Sequence, residues 1–162
     1  MRYTDGNMIY RILKNGLKTG IVLSVTTALA TVVASLSETG KPWAATNAIC
    51  HIVDGDDSEQ PTEFDPRATS IGLGINTTAM LVWSLLYEAG TETAKIEPMA
   101  ATGLATAAAA WVLDYKIVPK RYTPGVEKHL TFGPILAIYA VLGTTLALSS
   151  LWRDSAPKSD SG

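Results

Sequence analysis

Residues 19–37 read TGIVLSVTTALATVVASLS, nineteen positions without a charged side chain. Three similar stretches follow at 68–87, 99–113 and 130–152, and they are nearly free of charge. About 20 apolar residues cross the roughly 30 Å hydrocarbon layer of a bilayer as a helix. The four runs approach or exceed that length, the third only by extending through Asp114 to Val118. A soluble helix needs a polar stripe facing water, and a chain of 162 residues has too little interior to hide four helices that lack one. The alternative of a soluble, alanine-rich bundle is therefore set aside. An all-α fold is expected: a four-helix transmembrane bundle with spans at about 17–37, 67–88, 98–118 and 130–152, forming one membrane domain over 1–152. A polar, disordered tail at 153–162 follows.

Bulk composition alone would not have decided this. The chain is 47% hydrophobic and 17% charged, with a mean hydropathy of +0.17, and it is the clustering of the charges that excludes a water-soluble surface. A net charge of −2 supplies no basic patch, so nucleic acid is not an expected partner. The single cysteine, Cys50, rules out an internal disulfide and a multi-cysteine metal site.

Ahead of the first run stand Arg2, Arg11, Lys14 and Lys18 against one acid, Asp5. A flank of this kind stays cytoplasmic. It could also begin a signal peptide, with Ser35 and Ser37 near a cleavage point, but the apolar run is longer than a signal core and an uncleaved anchor is preferred. Within the run, Gly20, Ser24, Thr27, Thr31 and Ser35 recur at three- and four-residue steps, a small-residue face suited to close helix packing.

The longest interruption lies between the first two spans. Lys41-Pro42-Trp43 restarts a short helix at about 42–53, because proline suits a first turn and tryptophan suits the headgroup layer. At about three turns it is too short to cross and is expected to be interfacial or re-entrant. It carries Asn47, His51 and Asp54 on one side, ends at Gly55 and opens into the acidic loop DGDDSEQPTEFDP, 54–66. Asp65 is the expected N-cap of the second span. That span holds Asn76 about two turns inside, where it must hydrogen-bond to another helix, and Glu88, expected to end the span at the opposite interface. The third span aligns Gly103, Ala107, Ala110 and Asp114. The fourth carries Ala140, Gly143 and Ala147.

Four crossings from a cytoplasmic N-terminus bring the acidic loop and the basic connection 115–130 to the same side. Asn47, His51 and Asp54 then face Asp114, Tyr115 and Arg121. Seven Lys and Arg would be cytoplasmic and six outside, a difference too small to settle orientation.

The stretches WAATNAICHIVDGDD (43–57), NTTAMLVWSLLYE (76–88) and VLDYKIVPKRYTPGVEKHL (112–130) resemble uncharacterised small bacterial four-helix integral membrane proteins. The resemblance implies a four-span fold in a bacterial inner membrane with polar motifs gathered on one side, and it implies no activity.

The candidate polar cluster is thus Asn47, His51, Asp54, Asn76, Asp114, Tyr115 and Arg121. His51, Asp54 and Asp56 are weak metal candidates, since imidazole and carboxylates suit divalent ions but three convergent ligands are needed. A calcium loop starting at Asp54 fails, because Glu59 replaces the required glycine and Pro61 interrupts it. Asp114 is the most informative acid: a carboxylate in or near hydrocarbon needs a partner, expected to be Lys116, Arg121 or interfacial water. No nucleophile elbow, phosphate-binding loop or dinucleotide fingerprint is present, so no catalytic residue and no cofactor is assigned. The composition points first to a non-enzymatic structural or assembly component of a membrane process, with a homo-oligomer or other membrane subunits as partners beside the lipid bilayer. A small proton or ion channel or transporter, and a membrane-embedded metal protein or enzyme, are the alternatives.

Overall fold

The computed structural model describes residues 2–55, 58–93 and 100–154, with side chains over 6–55, 58–93 and 101–149. Every regular element among them is helical: α1 (Arg2–Thr39), α2 (Ala44–Ala48), α3 (His51–Asp54), α4 (Pro66–Thr93), α5 (Ala100–Val112) and α6 (Phe132–Asp154). Asp56, residues 94–99 and residues 155–162 lie outside the described residues; the tail expected from 153 does not begin there, because Arg153 and Asp154 still belong to α6. By length and composition three helical stretches can cross a membrane, Gly6–Thr39, Pro66–Thr93 and Phe132–Ser149. They mark a membrane-embedded protein. The third apolar run behaves differently. Only 13 of its residues are regular α-helix, after which Leu113–Ile117 widens into a π-helical turn closed by Val118 N–H donating to the Leu113 carbonyl at 2.9 Å.

The basic flank is no separate segment. α1 runs unbroken from Arg2, because nothing between Arg2 and Thr39 stops a helix; Gly16 lies inside it as a packing residue. α1 is the centre of the fold and lies antiparallel to both α4 and α6. Toward α4 it turns its small residues: a side chain at Gly20 would meet Ser84 Oγ at 2.6 Å and the Leu81 backbone at 3.1 Å. Ser84 donates its hydroxyl to the Gly16 carbonyl at 2.8 Å, which removes an exposed polar group from the pair. Toward α6, Thr26 and Thr145 share a hydrogen bond of 3.2 Å, and Glu38 accepts from the backbone and hydroxyl of Thr131. Small residues also join α5 to α6, where Gly103 and Ala107 pack on Gly143 and Ala147. Contact this close is how apolar helices gain packing energy in lipid, where burial of apolar surface no longer drives association.

Glu88 does not end its helix. α4 continues to Thr93, so Glu88 faces α1 and is 1% exposed, accepting the Thr19 hydroxyl at 3.3 Å. The outer faces stay apolar, as with Leu13, Leu17, Ile21, Val25, Leu29 and Val33 along α1, each more than half exposed.

All the short elements collect at one end of the bundle, where α1 finishes and α4 and α6 begin. The short helix expected at 42–53 is two pieces, α2 and α3, separated at Ile49 and Cys50. Both faces of α2 are covered. Ala44, Ala45 and Ala48 are buried together with Asn47 and His51, because α1 and α4 lie against α2 and the 3₁₀ turn Val126–Lys128 packs on it from the other side.

Candidate functional site

Asn47 anchors the acidic loop. Its amide nitrogen donates to the carbonyls of Pro61 and Glu63, both at 2.8 Å, and its carbonyl accepts the Thr69 hydroxyl at 2.7 Å. A fully buried amide with these bonds is a structural clamp. Next to it, Asp65 caps α4 by accepting the Ala68 N–H at 2.7 Å. α4 then approaches α2 so closely that a side chain at Gly72 would strike the Thr46 carbonyl.

Asp54 pairs with Arg67 through two bonds, 2.6 and 2.9 Å, and Cys50 donates its thiol to the same carboxylate at 3.3 Å. The Arg67 guanidinium, and after it the Cys50 thiol, hold the Asp54 carboxyl well below the usual carboxylate range. Burial, followed by the neighbouring Asp54, pushes the Cys50 thiol up, so it stays protonated and unreactive. His51 is 1% exposed and places Nδ1 2.8 Å from the Ala48 carbonyl. Its ring lies against Gly125, whose φ of 78° opens the second 3₁₀ turn. Among the described residues no three His, Cys, Asp or Glu side chains converge on a metal position. Asp56, the third weak candidate, is outside them.

Asn76 and Asp114 do meet at one place. Both line a cavity of about 140 Å³ bounded by α4, the π-helical turn and α6, with Thr27 and Thr31 of α1 at its base and Pro124 and Val126 at its end. Asn76 is tied to α1, donating to the Ser24 carbonyl at 3.1 Å and accepting from Thr27 at 3.3 Å. Asp114 finds neither Lys116 nor Arg121. Its partner is Tyr139 of α6, whose hydroxyl donates to Oδ2 at 2.6 Å. Asp114 continues the face of α5 on which Gly103 and Ala107 meet α6, while Lys116 lies over the Trp111 ring at 5.7 Å.

Tyr115 stacks between Trp111 and Tyr139, at centroid separations of 6.0 and 6.2 Å, and directs its hydroxyl to Glu127 at 3.4 Å. Arg121 is exposed on the turn Lys120–Tyr122 and takes no part in the cavity. The seven sequence candidates therefore separate into a loop clamp (Asn47, Asp54), a packing contact with Gly125 (His51), a cavity pair (Asn76, Asp114), an aromatic support (Tyr115) and a surface cation (Arg121).

Tyr139 escaped the sequence reading, in which Trp83 counts only as part of a helix face and Gly125 only as part of a turn. A signal existed for Tyr139, since a tyrosine in the middle of an apolar helix must place its hydroxyl somewhere. The site thus belongs to an all-helical membrane-embedded protein with one carboxylate facing an internal cavity. Compared with protein-family models, curated proteins and solved structures, the chain matches none.

Proposed function

We propose that this is a four-span integral membrane protein, with its N-terminus on the cytoplasmic side of a bacterial inner membrane, that binds a small molecule inside its helical frame. α5 and its π-helical turn supply the fourth crossing. Together they are 18 residues, about 27 Å of helix at about 1.5 Å per residue, close to the hydrocarbon thickness. The orientation rests on Arg11, Lys14 and Lys18 at the start of α1.

The observation that carries the binding reading is the convergence of Asn76 and Asp114, from two different helices, on one cavity otherwise lined largely by apolar and aromatic side chains. Its volume of about 140 Å³ approaches the roughly 150 Å³ of an engineered apolar cavity that accepts benzene. Trp83 lines the cavity and serves as the reporter. In nanodiscs, a protein with Trp43, Trp111 and Trp152 changed to Phe should show saturable quenching of Trp83 by bromobenzene, abolished by Ala79→Phe, which fills the space. Linear quenching that is the same in both proteins would be simple partition into lipid and would refute the cavity.

A second reading, an assembly component, is favoured by one observation. An open groove of about 630 Å³ between α1 and α6 is lined by small residues, among them Ala30, Ser37, Gly133 and Ala137. It would receive a helix of another copy or of another membrane subunit. Light scattering in mild detergent decides this: a monomer without a co-purifying subunit removes it.

A further inference from the structure

We propose that the ligand of the cavity is a small organic cation, an ammonium group on an apolar or aromatic body. This rests on the binding reading above and adds the chemical class.

The charge comes from the lining itself. Among the described residues that line the cavity, Asp114 is the one charged side chain. Tyr139 occupies Oδ2, donating its hydroxyl at 2.6 Å. The second carboxylate oxygen remains for a donor. No Lys or Arg stands among the described lining residues; Lys116 lies over the face of Trp111 and Arg67 pairs with Asp54. Glu127, held by Thr123 at 2.8 Å and by Tyr115, adds negative potential at the same end of the bundle. A carboxylate beside apolar walls is stabilised most by a positive charge brought to it.

The remainder of the lining selects the body. Ile75, Met80, Ile135 and Leu142 offer apolar contact, and Trp83 and Tyr139 add aromatic side chains to the lining, the residue type that attracts an ammonium. An anion would meet Asp114 directly and is excluded. A neutral molecule of the same shape would fill the walls and leave the carboxylate without a cation. The ammonium could arrive on a free amine or on an aminophospholipid headgroup; the chemistry recognised is the same.

The test uses the Trp83 reporter protein in nanodiscs of phosphatidylcholine and phosphatidylglycerol, with 4-bromobenzylammonium, 4-bromobenzyl alcohol and 4-bromobenzoate as quenchers. The ammonium should bind at least tenfold more tightly than the alcohol, and the benzoate should not saturate. Asp114→Asn keeps the acceptor for Tyr139 and should weaken the ammonium at least tenfold while leaving the alcohol unchanged. Equal binding of ammonium and alcohol, both unaffected by Asp114→Asn, would overturn the cation assignment and leave the cavity standing. No saturable quenching by any of them would overturn both. Repeating the titration with phosphatidylethanolamine in the nanodisc separates the two sources. Competition supports a lipid ammonium, unchanged binding a free amine, and either agrees with the charge pairing.

Discussion

Replacing Gly125 with alanine probes the contact that closes the functional end of the bundle. Its φ of 78° lies in the left-handed region, where an L-residue costs about 1–2 kcal/mol. The added methyl would stand 2.6 Å from Cε1 and Nδ1 of His51 and 2.9 Å from the Ala48 carbonyl, well inside the roughly 3.5–4.0 Å of ordinary contact. His51 cannot swing away without loosening its 2.8 Å contact to Ala48, a net loss of about 0.5–1.5 kcal/mol for a hydrogen bond. If it stays, the turn must shift and overpacking takes its place at about 1–3 kcal/mol. The variant should therefore lose about 2–4 kcal/mol in reversible unfolding in mixed micelles. A double-mutant cycle with His51→Ala isolates the cause. Without the imidazole the backbone strain and the contact with the Ala48 carbonyl remain, so Gly125→Ala should then cost less but still at least about 1–2 kcal/mol, and the coupling should exceed about 1 kcal/mol. A cost below about 0.5 kcal/mol, or an equal cost with and without His51, would refute the reasoning.

Three further outcomes follow from the packing and the loop clamp. Asn47→Ala leaves the Pro61 and Glu63 carbonyls and the Thr69 hydroxyl without their partner; a loss of about 1–3 kcal/mol is expected, with faster cleavage by a glutamate-specific protease at Glu59 and Glu63, and an unchanged cleavage rate would contradict the clamp. Gly20→Leu drives a side chain into Leu81 and Ser84, so a destabilisation of about 1–3 kcal/mol or more should appear in the same unfolding assay; wild-type stability would mean that α1 and α4 do not pack through this glycine. The Asp54 carboxyl, depressed by Arg67, contributes stability above its unfolded value of about 3.9 and loses it as pH falls through the lower folded value. The difference in Tm between the wild type and Arg67→Gln should accordingly shrink from pH 5 toward pH 2, and a pH-independent difference would speak against the pair.

Much of the scaffold was legible because lipid imposes a one-dimensional rule. Charge-free runs must be helices, since every backbone polar group in hydrocarbon has to be satisfied within its own segment. Small residues at three- and four-residue steps marked the faces that meet, and they do line the contacts of α1 with α4 and of α5 with α6. Asp65 as a cap and Gly55 as a stop were readable from local chemistry alone. The candidate site was legible only as a set of residue types. Asn47, His51, Asp54, Asn76 and Asp114 all stood out as polar groups in apolar surroundings, yet nothing in their spacing distinguished a clamp from a cavity lining.

What the sequence alone determined is the all-helical, membrane-embedded character of the chain and the faces on which its long helices touch, because those follow from periodicity and from the absence of charge. What only the tertiary structure decided is the partner of each polar group. Asp114 lies close in sequence to Lys116 and Arg121, but it bonds a tyrosine 25 positions away on α6, on the side that Gly103 and Ala107 also turn to that helix. Glu88 sits where the sequence places the end of a span, but α4 runs on and holds it against α1. Which side chain an acid meets depends on helix rotation and register, and those are set by the packing of whole helices rather than by neighbours in the chain.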